Sequence, residues 1–300
     1  MIDIILTIVT FSSMLVLFKY FEKFHINNLQ AIIINYITAG TCGIIQGIQN
    51  GSEISFKSIV GAEYTLAAII IGFMFIFTFN LIAFGTQKIG IAITTVSNKM
   101  SMVIPVAVSF YFFNDHMDFL KFMGILLSLV AIYYTSTNQG KLSFNKKYLW
   151  LIAIIFFGQG IADSTLKWAQ VNVLTDKNIG NFFASTFFMA AVSGLIFLVY
   201  QLATGKNKLK LNNVLAGIIL GLPNYFTLYF FMRAMDKGAL QSSQLFPVVN
   251  MGVIVFSAIL GIVLFREKLS KTNWLGIAIA IVSITFITFS VEILSKLGLV

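Results

Sequence analysis

Charged and redox-active residues are scarce in this chain of 300 residues. Cysteine occurs once, as Cys42, and histidine twice, as His25 and His116, so a disulfide or a Cys/His metal site is not available. Only 10% of the residues are charged and 58% are apolar, more than a soluble domain needs. The lysines and arginines behind the net charge of +9 are spread along the chain, which argues against nucleic-acid binding. This composition predicts a membrane protein without a cofactor.

Long apolar segments fill most of the chain. Each is long enough to cross a hydrocarbon core, and the connections between them are too short to hold a folded domain, so the function must lie in the membrane. We predict an all-α integral membrane protein with ten transmembrane helices, at about 4–20, 29–48, 65–84, 90–113, 119–136, 148–168, 179–202, 212–232, 239–265 and 273–293.

The two halves of the chain resemble each other. An offset of 149 residues aligns Gly72 and Phe77 with Gly221 and Phe226, and the other span pairs align at offsets of 148 to 152. We therefore predict two five-helix repeats, 1–138 and 148–300, joined by a polar linker at 139–147. Because five is odd, the second repeat must insert upside down relative to the first, which is the layout of many secondary transporters.

The loop charges predict an orientation. The first, third, fifth, seventh and ninth loops contain twelve lysines and arginines, and the segments on the opposite side of the membrane contain seven. The positive-inside tendency then places both termini outside the cytoplasm of a cytoplasmic-membrane protein.

Polar residues follow one face of two equivalent spans. In the fourth span, Thr94, Asn98, Ser101 and Pro105 recur every three or four residues. The ninth span repeats the pattern, at the 149-residue offset, with Ser243, Pro247 and Asn250. These stripes either join packed helices by hydrogen bonds or line a substrate cavity, and the pairing of the stripes favours a cavity.

Lys99 lies deep in the fourth span, where a charge costs about 2.5–3.5 kcal/mol on insertion scales. In the sixth span, Gln159, Asp163 and Lys167 share one helical face. Asp163 either pairs with Lys167 one turn away or serves transport, as a proton carrier or as the counter-charge that Lys99 exchanges for a substrate carboxylate. A charged Lys99 favours anionic or zwitterionic cargo.

Further polar candidates lie in the second, third and eighth spans. Pro223 bends the eighth span and frees a backbone carbonyl, and the bend is a candidate gate beside Asn224. Asn80 and Asn35 are additional candidates for the same cavity.

The segment Gly261-Ile-Val-Leu-Phe-Arg-Glu267-Lys-Leu-Ser, followed by Trp274-Leu-Gly276, resembles the drug/metabolite transporter superfamily in its ten-helix, EamA-like bacterial branch. In the first half, Phe112-Phe-Asn-Asp115 is a degraded counterpart, with Asp115 or Asp118 in the place of the acidic residue. The resemblance implies a central cavity lined by the third, fourth, sixth, eighth and ninth helices, with alternating access. Glu267 lies at a turn, where we expect it to cap or brace the next helix.

We therefore expect a permease, and no enzyme, that moves a small metabolite such as an amino acid. Its partners are the substrate, the lipid bilayer and, as a candidate co-substrate, protons; the chain is a monomer or a homodimer. Substrate-binding or coupling residues are predicted among the polar residues of the spans, with two prolines as gating or kink positions: Lys99, Asp163, Asn98, Asn250, Asn224, Asn80, Gln159, Ser101 and Ser243, then Pro223 and Pro247. The alternative is a membrane scaffold or receptor that moves no solute.

Overall fold

The computed structural model describes residues 1–88, 97–113, 115, 117–136, 146–204, 209–238, 240–266 and 269–296, and these contain helices and no strand. Thr94, Glu267 and residues 139–145 of the predicted linker lie outside this set. The helices are α1 (Ile2–Lys23), α2 (Asn28–Gln49), α3 (Phe56–Val60), α4 (Thr65–Lys88), α5 (Val103–Phe113), α6 (Phe119–Ser136), a 3-10 turn (Lys146–Tyr148), α7 (Leu149–Asn172), α8 (Ile179–Ala203), α9 (Leu211–Asp236), α10 (Ser242–Phe265), α11 (Lys271–Thr288) and α12 (Ser290–Lys296).

Among the described residues, eight helices are long and apolar enough to cross a membrane: α1, α2, α4, α7, α8, α9, α10 and α11. They coincide with eight of the ten predicted spans. The predicted fifth span is the shorter apolar helix α6. Two short helices, α3 and α12, were not predicted, and α12 takes up the end of the predicted tenth span.

The fourth predicted span is not one continuous helix. Ser97 to Met100 are helical, Ser101 and Met102 form a turn, and α5 begins at Val103. Pro105 explains the break, because a proline has no N–H for the carbonyl four residues earlier and its ring collides with that carbonyl. The carbonyl of Ser101 instead accepts the N–H of Ile104 at 2.9 Å.

The described chain packs as two compact units that do not follow the sequence halves. Unit 1 contains residues 1–12, 81–160 and 233–300, and unit 2 contains residues 13–80 and 161–232. Helices α1, α4, α7 and α9 contribute residues to both. The division into repeats 1–138 and 148–300 concerns ancestry and not packing, so it stays a prediction.

In unit 2, α2 and α8 pack closely through small residues. A Cβ atom added to Gly43 would lie 2.6 Å from the backbone nitrogen of Ala184, and one added to Gly180 would lie 2.3 Å from that of Gly47. Helices in lipid associate through such close backbone approach, because hydrophobic burial gives little driving force between them.

In unit 1, α6 and α11 pack in the same manner. A Cβ atom on Gly124 would meet the side chain of Ile287 at 2.6 Å, and one on Gly276 would meet the backbone nitrogen of Thr135 at 2.6 Å. The hydroxyl of Ser283 donates to the carbonyl of Gly124 at 2.7 Å. These contacts join the start of each helix to the end of the other, so α6 and α11 run antiparallel.

The two acidic residues of the degraded first-half motif brace helix starts in unit 1. Asp118 Oδ1 accepts the N–H of Lys121 at 2.8 Å in the first turn of α6. Asp115 Oδ2 accepts the N–H of Ser243 at 2.8 Å in the first turn of α10. A carboxylate here satisfies a backbone donor that the helix leaves unpaired and interacts favourably with the helix dipole.

Candidate functional site

A polar cluster in unit 1 is centred on Lys99, just before the break in the fourth span. Lys99 Nζ donates to Asn250 Oδ1 on α10 at 3.3 Å. The same ammonium lies 4.3 Å from the ring centroid of Phe11 on α1, a distance at which the electron-rich ring face attracts a cation. The predicted residues Lys99 and Asn250 are thus brought together.

The neighbouring residue Asn98 extends this cluster to α7. Asn98 Nδ2 donates to Gln159 Oε1 at 3.4 Å. Asn98, Lys99 and Asn250 are half-buried. Each amide has donor and acceptor capacity beyond one hydrogen bond. The cluster can therefore offer an ammonium and several amide groups to one small polar molecule.

The serines beside Lys99 hold the broken backbone in place. Ser97 Oγ donates to the carbonyl of Ile152 at 2.6 Å, which ties this segment to α7. Ser101, predicted to bind substrate, is buried, and its hydroxyl donates to the carbonyl of Asn98. Ser101 supports the turn that presents Asn98 and Lys99.

Two other predicted residues lie near the start of α10. Ser243 is buried in its first turn, where Asp115 accepts its N–H, and its hydroxyl has no hydrogen-bond partner among the described residues. Pro247 is buried, and α10 continues through it from Ser242 to Phe265. Pro247 lacks the N–H that would pair with the carbonyl of Ser243, four residues earlier, and the helix nevertheless continues past it. Roles for Ser243 in binding and Pro247 in gating stay predictions.

Asp163 belongs to unit 2, where it lies half-buried on α7. One turn further along the same helix, Lys167 is buried and donates to Gln170 Oε1 at 2.8 Å. The proposed roles of Asp163 in proton coupling or charge exchange stay predictions.

The predicted asparagines of unit 2 behave differently from one another. Asn224 Nδ2 on α9 donates to Asn35 Oδ1 on α2 at 3.0 Å. Asn80 Nδ2 donates to the carbonyl of Ile76 in its own helix at 2.7 Å. Pro223 lies inside α9, which continues from Leu211 to Asp236. The structure therefore brings Asn224 and Asn35 together, whereas the Asn80 side chain bonds to a backbone carbonyl of its own helix.

The sequence reading missed Phe11, the aromatic residue that contacts Lys99. A signal for it exists, because Asp3, Thr7 and Phe11 are spaced by four residues and share one face of α1. The signal is weak, because the chain contains 31 phenylalanines and nothing in the sequence distinguishes Phe11 from the others. In the described part of the chain, no group of three His, Cys, Asp or Glu side chains could hold a metal ion.

Comparison with known proteins identifies a transporter domain. Residues 161–289 match the EamA-like transporter family. An uncharacterized protein of Haemophilus influenzae is 26% identical over 272 residues, which cover 90% of this chain and 91% of that protein. A solved crystal structure superposes with a TM-score of 0.77 at 15% identity, covering 98% of this chain and 97% of the other, which shows a shared fold. The family match over residues 161–289 and the long apolar helices together support a multi-pass membrane protein with a domain of the EamA-like transporter type.

Proposed function

We propose that this protein is a secondary transporter of the cytoplasmic membrane that moves a small metabolite by alternating access between two inverted five-helix repeats. The observation that carries the proposal is the Lys99 cluster at the break in the fourth span. Transporters commonly bind cargo at such discontinuous helices, where polar groups converge within the membrane.

Reciprocal contacts support the inverted repeats in unit 2. Gly43 packs against Ala184, and Gly194 packs against Ile33. An offset of 151 converts Gly43 to 194 and Ile33 to 184, so the two contacts exchange places. Such an exchange is expected when the two halves are related by a pseudo-two-fold axis.

The same exchange occurs between two other helix pairs of unit 2. A Cβ on Gly72 would lie 2.6 Å from the carbonyl oxygen of Thr186, and one on Gly221 would lie 2.8 Å from that of Asn35. Gly72 and Gly221 are 149 residues apart, and Asn35 and Thr186 are 151 apart. In unit 1, the contacts of Gly124 and Gly276 described above correspond at an offset of 152.

The polar cluster lies where the two halves supply corresponding residues. Asn98 contacts Gln159 and Lys99 contacts Phe11. Phe11 and Gln159 are 148 residues apart, the offset that also aligns Lys19 with Lys167. Corresponding positions of the first and sixth spans thus contact adjacent residues of the broken helix. Inverted-repeat transporters place their binding site at this kind of repeat interface.

The chemistry of the cluster favours cargo with a carboxylate, such as an amino acid or a related metabolite. Lys99 supplies a positive charge, and the amides of Asn98, Gln159 and Asn250 supply neutral donors and acceptors. A charge-assisted hydrogen bond contributes about 1.5–3 kcal/mol. Asp163, the carboxylate well inside a span, is the candidate for proton coupling.

The test is flux of labelled amino acids and of their deaminated and decarboxylated analogues in proteoliposomes, with and without a pH gradient. We expect Lys99→Met to lower the flux of carboxylate cargo by about 10-fold to 100-fold. Asp163→Asn should remove the dependence on the gradient. Lys57→Met, at an exposed lysine of α3, is the matched control and should leave flux unchanged.

Each rival has its own outcome. Flux that depends on the amine and survives Lys99→Met would reject the assigned cargo while retaining a transporter. Ligand binding by purified protein without flux of any solute would support the alternative, a non-transporting membrane scaffold or receptor.

A further inference from the structure

In unit 1, an ion cluster joins the N-terminal end of α1 to the C-terminal end of α9. Asp3 Oδ2 accepts a hydrogen bond from Lys237 Nζ at 2.7 Å, and Asp3 Oδ1 lies 3.6 Å from Arg233 Nε. The Asp3 side chain is 4% exposed, whereas those of Arg233 and Lys237 are 40% and 52% exposed. The helix dipoles favour this arrangement, because Asp3 lies in the first turn of α1, Arg233 lies in the last turn of α9 and Lys237 directly follows that helix.

One face of α1 connects this ion cluster to the Lys99 site. Asp3, Thr7 and Phe11 are spaced by four residues, so they lie above one another on the helix. Thr7 is 1% exposed, and its hydroxyl donates to the carbonyl of Asp3 at 2.7 Å. Eight residues of helix span about 12 Å. The ion cluster therefore lies two turns from Phe11, which contacts Lys99.

A corresponding contact joins α4 to α7, also within unit 1. Asp3 corresponds to Leu151 at the offset of 148, and Arg233 corresponds to Phe84 at the offset of 149. Leu151 is fully buried and packs against Leu81 and Ile82 of α4. Beside it, the rings of Phe84 and Tyr148 meet edge to face at 6.5 Å. The α1–α9 contact and the α4–α7 contact thus occupy corresponding positions in the two halves, but the first is ionic and the second is apolar.

We propose that these two contacts are the gates of the transport path, with an ionic gate formed by Asp3, Arg233 and Lys237 and an apolar gate centred on Leu151. This inference rests on the proposed function, because gates require alternating access. α1 carries Asp3 of the ionic gate as well as Phe11, and α7 carries Leu151 of the apolar gate as well as Gln159. Movement of either helix end is therefore linked to the cargo site.

The exposure of the cations makes the ionic gate reversible. When α1 and α9 separate, Arg233 and Lys237 are already half in contact with solvent, and water entering the opened end can solvate Asp3. Such a contact opens without stranding a charge in a dry interior. Neutralising Asp3 should favour the open state of this end alone.

The test measures access to a single reporter cysteine placed behind each gate, in a Cys42→Ala background. Thr7→Cys lies between Asp3 and Phe11, and its counterpart 148 residues later, Ile155→Cys, lies between Leu151 and Gln159. The probe is the membrane-impermeant reagent 2-(trimethylammonium)ethyl methanethiosulfonate, added to one face of proteoliposomes at a time. This readout needs no cargo, so it fails or succeeds independently of the flux experiment.

We expect Asp3→Asn to raise labelling of Thr7→Cys by about fivefold, as for an ion pair whose cations are half-exposed. The rise is diagnostic because the substitution leaves an excess of positive charge, which repels the cationic probe. Labelling of Ile155→Cys should stay the same or fall. Lys237→Gln should act like Asp3→Asn, and Glu22→Gln, at the other end of α1, is the matched control.

Two results would overturn the proposal. Equal gains at both reporters would mean that the bundle is loosened as a whole. Unchanged labelling of Thr7→Cys in folded Asp3→Asn protein, with the monodisperse elution of the parent, would mean that the ion cluster does not close this end.

Discussion

The α1–α9 end and the α4–α7 end of unit 1 occupy corresponding positions in the two halves of the chain but differ in chemistry. At the first, a buried carboxylate meets two half-exposed cations. At the second, Leu151 and its apolar neighbours close the contact. Three of the glycines that let helices approach are by contrast glycine in both halves: Gly43 and Gly194, Gly72 and Gly221, and Gly124 and Gly276. Where two helix backbones approach closely, no side chain fits and glycine is required. A contact between helix ends can instead be formed by charged or by apolar side chains.

The largest expected effects are at the contacts that the halves share. Gly72→Val and Gly221→Val would each force side-chain atoms into space where even a Cβ lies 2.6 or 2.5 Å from a neighbour. Overpacking of this kind costs about 3 kcal/mol. Both variants should lose most folded protein, measured as the monodisperse fraction in mild detergent.

The comparison requires equal losses from the two variants. Ala107→Val adds a similar volume at an exposed position of α5 and should leave the folded fraction unchanged. A strong loss in only one of the two glycine variants would break the correspondence between the halves.

The next effect is at the apolar end. Leu151→Ala would leave a cavity beneath α4, since Leu151 is fully buried, and would lower the free energy of unfolding by about 2 kcal/mol. Leu149→Ala, at an exposed leucine two residues earlier in the same helix, is the control. Denaturant titration in mixed micelles measures the free energy of unfolding of both variants. Equal losses would show that the buried contact of Leu151 adds no more stability than an exposed leucine does.

The sequence predicts the helical membrane fold well because apolar segments of spanning length leave few other structures. It also brings out Lys99, Asn98, Gln159 and Asn250, because polar side chains at mid-span are costly and must meet one another. The break at Ser101 is less easily predicted. Pro105 belongs to the predicted polar stripe, but the helical hydrogen bond that it removes is the one to the carbonyl of Ser101, four residues earlier.

Contacts between distant helix ends cannot be read from periodicity. Asp3 directly precedes the predicted first span, 4–20, and its partners Arg233 and Lys237 are more than two hundred residues away in the chain. Ser243 shares a helical face with Asn250, but seven residues of helix separate them by about 10 Å. A shared face therefore does not imply a shared site.

A smaller effect is expected at the ionic end. Asp3→Asn should lower the free energy of unfolding by about 1–2 kcal/mol, because it leaves the two cations beside each other while solvent still reaches both. In a double-mutant cycle with Lys237→Gln, the two changes should be non-additive, since they remove the same 2.7 Å contact. Additive losses would show that Asp3 and Lys237 act independently.

The smallest expected effect is the difference in stability contributed by the two cations of that cluster, Arg233 and Lys237. Arg233 Nε lies 3.6 Å from Asp3 and Lys237 Nζ lies 2.7 Å from it, so Arg233→Gln should cost less than about 0.5 kcal/mol and Lys237→Gln more. Raising the salt concentration from 0.1 to 1 M shortens the Debye length from about 10 to 3 Å and should reduce both differences. The cost of Leu151→Ala should not fall with it, because an apolar contact carries no charge to screen. Equal salt dependence at the two ends would mean that their chemical difference has no energetic consequence.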